Sequence, residues 1–198
     1  MIQYNNLSKE TPYLVFKKKY DDSLKANQKN IEAISIASYS TSKKEVNARY
    51  VNLKIVEDKK FIFFSNYNSP KSQEFSAHNQ IMALIYWSST NTQIRMKACI
   101  EKTSKEYNRA YFAKRDKKKN ALAISSKQSS PIDSYAALQK NYELVLQSNN
   151  LSECPDYWGG YAFTPFYFEF WEGHDSRINK RETYELQNDK WIHGFLQA

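Results

Sequence analysis

"YAFTPFYFEFWEGHDSRINKRETYEL", residues 161–186, decides the fold. "YAFTPFYFEFWEG" (161–173) and "RINKRETYEL" (177–186) read as two strands around the turn "GHDS". Period-two geometry on the second strand puts Arg177, Asn179 and Arg181 on one face and Ile178 and Lys180 on the other. Two guanidiniums two residues apart repel each other unless they are exposed or share an anion. Their planar forks match phosphate or carboxylate. Trp171, on the first strand, can then lie over an aromatic ligand. The other reading is an edge hairpin protected from aggregation by its charge, and the hairpin alone leaves both open.

Working back from the hairpin, five more runs read as strands: "AISIASYS" (33–40), "ARYVNLKIVE" (48–57), "FIFFSNY" (61–67), "IMALIYW" (81–87) and "TQIRMKACIEKTS" (92–104). The intervening "EDKK" makes a hairpin of the second and third, and a last strand follows "QNDKW". In the second run Arg49, Val51 and Leu53 share one face, while Tyr50, Asn52 and Lys54 share the other. Helices are expected over 11–29, capped by Thr11 and Pro12, from Ser69-Pro70 to His78-Asn79, from Ser104 onward, and over 133–147 with Asp133 as cap. The helix starting at Ser69 turns free N–H groups and a positive dipole end toward Lys71, a phosphate-friendly place. A plain capped connector is the simpler account of that segment. The polar run "AISSKQSSPI" (123–132) is likewise either a loop or the polar edge of a ligand site.

The sum is a single α+β domain over 1–198 around a barrel-like antiparallel sheet with flanking helices. Residues 1–30 form an N-terminal helix region and 155–198 a C-terminal hairpin region. At 41% hydrophobic and 15% aromatic the chain can bury a core. No apolar run is long enough to span a bilayer, and no secretory signal is read at the N-terminus. Cys99 and Cys154 form no metal pair, and a reducing cytoplasm is the expected setting.

Only four glycines are present, so neither a GxGxxG turn nor a P-loop can be drawn. The three histidines fit no zinc spacing, and there is no GxSxG elbow. Poor in side-chain engines of catalysis, the chain is expected to work through a bound cofactor if it is an enzyme. The net charge of +8 and the run "KRDKKKN" (114–120) admit a nucleic-acid module, but no nucleic-acid motif supports it, and solvated lysines gathered in places for small anions are the favoured reading.

Seven segments, in order and with similar spacing, resemble the FMN-dependent pyridoxamine 5′-phosphate oxidases: "RYVNLK", "FFSNYNSPK", "YW…TQIRMKA", "YF…R", "SKQSS", "YWGGY" and "EFWEG…R…R". The resemblance implies an FMN-binding split β-barrel and a homodimer with two FMN sites at the subunit interface. It implies oxidation of pyridoxamine or pyridoxine 5′-phosphate to pyridoxal 5′-phosphate, with oxygen reoxidising the flavin.

Carried over position by position, the resemblance gives FMN contacts at Arg49, Lys54, Phe64, Ser65, Lys71, Gln93, Gln128, Ser129, Trp171 and Arg181. It gives substrate contacts at Lys54, Tyr111, Arg115, Lys119, Arg177 and Asn179, with Arg177 over the reacting ring as the catalytic residue. Three positions depart from the family pattern. Pro70 stands where an arginine precedes the lysine, Lys119 where a serine joins the phosphate set, and Asn179 where a histidine is usual. These departures keep open a split-barrel flavoprotein acting on another small molecule.

Overall fold

The computed structural model describes residues 1–147 and 150–198. Its spine is β8 (Trp158–Glu172), fifteen residues long and paired with β7 (Thr92–Lys102) from Tyr161 to Glu172. The near half of β8 also pairs with β5 (Lys60–Asn66), and the far half with β9 (Lys180–Gln187). Pro165, which cannot donate to a ladder, falls where the β7–β8 register shifts. The strand bends there and passes from one partner to the other.

The remaining strands are β1 (Gln3–Asn5), β2 (Ala33–Ser40), β3 (Glu45–Asn52), β4 (Ile55–Glu57), β6 (Gln80–Trp87) and β10 (Lys190–Leu196). They complete one sheet in the order β1-β4-β5-β8-β7-β6-β2-β3, with β9 and β10 branching from β8. Every pairing is antiparallel except β1 with β4. Helix α1 (Thr11–Lys25) closes the barrel by burying Tyr13, Phe16 and Tyr20. Phe16 meets Phe61 edge-on at 4.9 Å, and Phe163, Phe168 and Phe170 of β8 complete the same core. Each such side chain contributes roughly 1.5–3 kcal/mol by leaving water.

Helix α1 has Glu10 rather than Thr11 at its cap position and ends at Lys25 rather than at residue 29, and the structure refines the sequence reading in four further places. The run 48–57 is broken at Leu53, which turns into the core and donates its N–H to Glu32 O at 2.8 Å, so β3 ends and β4 begins afresh. The helix that starts after Ser104 is two: α3 (Lys105–Lys114) stops at Arg115, and Asp116 caps α4 (Lys117–Ser125) by accepting from Lys119 N. Helix α5 (Tyr135–Leu146) is capped by Ser134 rather than Asp133, since it is the Ser134 hydroxyl that accepts from Ala137 N at 3.1 Å.

The fourth is the opening hairpin. Its second strand starts at Lys180, not Arg177, because residues 173–179 form a stapled loop. His174 N donates to Asn179 Oδ1 at 3.1 Å, Ser176 N to His174 Nδ1 at 3.1 Å, and Arg177 N to His174 O at 2.8 Å. Arg177 has a left-handed φ of 60°. Arg177, Asn179 and Arg181 therefore do not share a strand face, and His174 is the staple of the turn. No helix among the described residues is long and apolar enough to cross a membrane.

Candidate functional site

Strand β5 carries Phe64 and Ser65 to its C-terminal end, opposite Gly160 and Gly159 of β8. Gly159 admits close neighbours: a Cβ there would lie 2.2 Å from the Tyr67 hydroxyl. Beside this pair opens a cavity of about 200 Å³ lined by Phe64, Ser65, Asn66, Arg115, Lys119, Leu122, Ala123, Ser126, Gln128 and Trp158. One wall is aromatic. Phe64 stacks on Tyr111 at 3.7 Å and on Trp158 at 5.2 Å, and the Arg115 guanidinium lies 5.0 Å from the Trp158 ring centroid.

Arg115 owes its place to the break between α3 and α4. Its Nη1 donates to Lys119 O at 2.7 Å and to Asn120 Oδ1 at 3.1 Å, while fully buried Asn120 is itself tied to Phe112 O and Leu151 O. Arg115 is thus aimed by neutral oxygens and makes no ion pair among the described residues. Burial of Tyr111 pushes its phenol upward, so it stays a neutral hydroxyl.

Behind the Ser65–Gln128 wall lies Lys71, the second residue of α2 (Pro70–Ala77). Its ammonium donates to Ser65 Oγ at 3.0 Å, Ser69 Oγ at 2.9 Å and Gln128 Oε1 at 3.0 Å, all neutral. Only 9% of Lys71 is exposed, and it has no ion-pair partner among the described residues. Loss of water, then repulsion from Arg49, pushes its pKa down to about 8 against the pull of Glu74. A buried cation without a counter-charge is a place for an anion. Arg49 stands nearby, fixed by Glu74 Oε2 at 2.8 Å, Ser38 Oγ at 2.5 Å and Ile36 O at 3.2 Å.

A second group collects at the far end of β8. Register places Gln93, Trp171 and Arg181 in one row across β7, β8 and β9. Arg181 donates through Nε to Glu169 Oε1 at 2.9 Å and through Nη1 to Gln197 O at 3.1 Å. Arg177 and Asn179 lie in the adjoining loop. Trp171 lies thirteen positions after Trp158 on β8, roughly 40 Å along an extended strand. Among the described residues no hydrogen bond, ion pair or aromatic contact joins the two groups. Lys54 joins neither; its ammonium lies 3.5 Å from Glu32. Ser129 is exposed in the loop after α4, with a φ of 68°.

Residues 20–149 match the family model described as "Pyridoxamine 5'-phosphate oxidase", and residues 158–198 match that of the "Pyridoxine 5'-phosphate oxidase C-terminal dimerisation region". The chain belongs to the pyridoxamine 5′-phosphate oxidase family. A pyridoxine/pyridoxamine 5′-phosphate oxidase of Rhodopirellula baltica is 30% identical over 96% of this chain and 88% of its own length. One of Burkholderia lata is 34% identical over 90% of this chain and 83% of its own.

The split-barrel fold is shared with PhzG from Burkholderia lata, solved in complex with tetrahydrophenazine-1-carboxylic acid. That structure has a TM-score of 0.89 and 23% identity over 94% of this chain and 92% of that one. It is shared also with a pyridoxamine 5′-phosphate oxidase-related, FMN-binding protein of Nostoc punctiforme, with a TM-score of 0.79 and 11% identity over 96% and 99%.

As a pyridoxamine 5′-phosphate oxidase family member the chain is an FMN-dependent oxidoreductase, and the residues present fit that cofactor. Lys71 and Arg49 offer positive charge to a phosphate, Ser65 and Gln128 offer hydrogen bonds, and Phe64 and Trp158 offer aromatic wall. Pro70 gives up an arginine, yet it serves as first residue of α2 and so helps to set Lys71. Trp158, now seen to wall the cavity, had its signal in "YWGGY", where two glycines follow a large ring. Buried Glu74 and Glu169, which hold the two arginines, left no such mark.

Proposed function

We propose that the chain oxidises pyridoxamine or pyridoxine 5′-phosphate to pyridoxal 5′-phosphate with FMN and oxygen, as a homodimer. The observation that carries this reading is a cavity with cations on two sides, uncompensated Lys71 behind one wall and Arg115 with Lys119 in another. Two phosphorylated molecules, cofactor and substrate, need two such poles. The relatives named above support the same substrate.

The chemistry FMN supplies when bound is acceptance of a hydride equivalent from substrate C4′ and return of the electrons to oxygen. What remains for the chain is binding and orientation. Arg49, Lys71, Ser65, Gln128 and Ser129 hold the FMN phosphate and flavin edge, with Phe64 as wall. Arg115, Tyr111 and Lys119 hold the substrate phosphate. Gln93, Trp171 and Arg181 close the flavin site from the second copy, whose Arg177 and Asn179 lie over the pyridine ring.

The homodimer is supported by the outer face of β3, β2 and β6. Tyr50 is 76% and Val46 71% exposed there, and Leu84 and Tyr86 continue the face to the Gln93–Trp171–Arg181 row. A patch of this kind marks an interface, and the row that must reach another copy's cavity lies on it.

A second reading, the same fold and cofactor acting on a different small molecule, is favoured by Asn179. Its side-chain oxygen is taken by His174 N, and it cannot carry a proton near neutrality as histidine can. One experiment separates the readings. Under anaerobic conditions, pyridoxamine 5′-phosphate should bleach the flavin band of the purified protein, and admitted oxygen should restore it with formation of pyridoxal 5′-phosphate. A flavin band indifferent to that substrate refutes the first reading and leaves the second.

A further inference from the structure

Glu169 sits between Phe168 and Phe170, yet turns to the opposite face of β8. It is only 2% exposed, and four donors surround its carboxylate. Oε1 accepts from Arg181 Nε at 2.9 Å and lies 2.9 Å from Arg181 Nη2. Oε2 accepts from Arg95 Nη1 at 3.0 Å and from the Tyr167 hydroxyl at 3.2 Å. Arg95 stands directly across from Glu169 on β7.

A carboxylate so far from water needs its partners, but one arginine would serve for that. Two are present, and the surplus positive charge belongs to a cluster whose outer arm, Arg181, stands opposite Trp171. A free arginine samples many rotamers and loses that freedom on binding. Arg181 has already lost it. With Nε and Nη2 on one carboxylate oxygen and Nη1 on Gln197 O, its guanidinium plane is set relative to the Trp171 strand before any ligand arrives.

We propose that Glu169 is a positioning residue of the FMN site: it holds Arg181 in the Gln93–Trp171–Arg181 row, while Arg95 and Tyr167 fix its second oxygen. This deepens the FMN reading and rests on it. Glu169 touches no ligand and acts through Arg181, which separates it from a residue that merely supports the fold.

The test is a double-mutant cycle on FMN affinity, measured on the full-length apo-protein by quenching of flavin fluorescence. Glu169→Gln should weaken FMN about tenfold, the worth of one hydrogen bond to a charged group, when Arg181 is present. In the Arg181→Ala background the same substitution should add nothing. Equal weakening in both backgrounds, or none in either, overturns the proposal. Should Glu169→Gln fail to fold, Glu169→Asp, which keeps the charge but withdraws it by one methylene, takes its place in the cycle: weakening only when Arg181 is present supports the proposal, and any other pattern overturns it. Failure of the parent reading looks different, because the unaltered protein would then bind no FMN.

Discussion

The two ends of β8 are built on opposite plans. At Trp158 the strand closes a cavity inside one chain, with Phe64, Arg115 and Gln128 drawn together from three further segments. At Trp171 it ends in an open row, Gln93–Trp171–Arg181, beside exposed Tyr86. The first end has an uncompensated buried cation, Lys71, whereas at the second the candidate arginine is locked onto a carboxylate. A lone cation waiting for a charge and a held cation presenting a surface are the two halves that the proposed site, shared between copies, requires.

The largest effect that probes this contrast falls on Lys71. Lys71→Met keeps the volume but removes the charge and three hydrogen bonds, and FMN affinity should drop about a hundredfold at two charged hydrogen bonds' worth. An unchanged affinity, read by fluorescence titration, would show that the Trp158 end does not receive the phosphate. Arg115→Ala comes next. It should raise KM for pyridoxamine 5′-phosphate about thirtyfold with FMN affinity little changed, since Arg115 belongs to the proposed substrate pole. Equal losses in both would merge the two poles into one.

The smallest effect is one of pH. As pH rises through about 8 the Lys71 ammonium of the apo-protein loses its proton, so FMN affinity should fall about tenfold between pH 7 and 9. Apo stability should move the other way. An unfolded lysine holds its proton up to its ordinary 10.5, so the unfolded state binds more protons above 8 and the Lys71 contribution to stability rises with pH. Calorimetry of the apo-protein and the FMN titration should therefore slope in opposite directions. Parallel slopes would remove Lys71 from the phosphate site.

Much of this was legible in the sequence, and the exceptions have physical causes. Period-two runs placed β2, β6 and β7 closely, because half-buried strands advertise their faces, and the continuous apolar run "FIFF" placed β5. The Ser69-Pro70 start of α2 was equally plain. Alternation along the hairpin put Arg177 on a strand because it says nothing of a loop pinned by His174 and Asn179. A broken helix at Arg115 was invisible for a similar reason: Asp116 caps locally, and propensity on either side favours helix. Cofactor and family came from seven ordered motifs, not from periodicity. The carboxylates that hold Arg49 and Arg181 come from positions 25 and 12 residues away, and only the fold brings them there.

The most direct test of a site divided between two copies is subunit complementation. Lys71→Met and Arg181→Ala each damage a different end of β8, and each should lose most oxidase activity with pyridoxamine 5′-phosphate. Mixed, unfolded and refolded together, they should recover about a quarter of the activity of the unaltered protein. Half of the random dimers are then mixed, and each of those has one of its two sites intact. Activity in the mixture no greater than the mean of the two variants alone would contradict the account, because both ends would then serve the same chain.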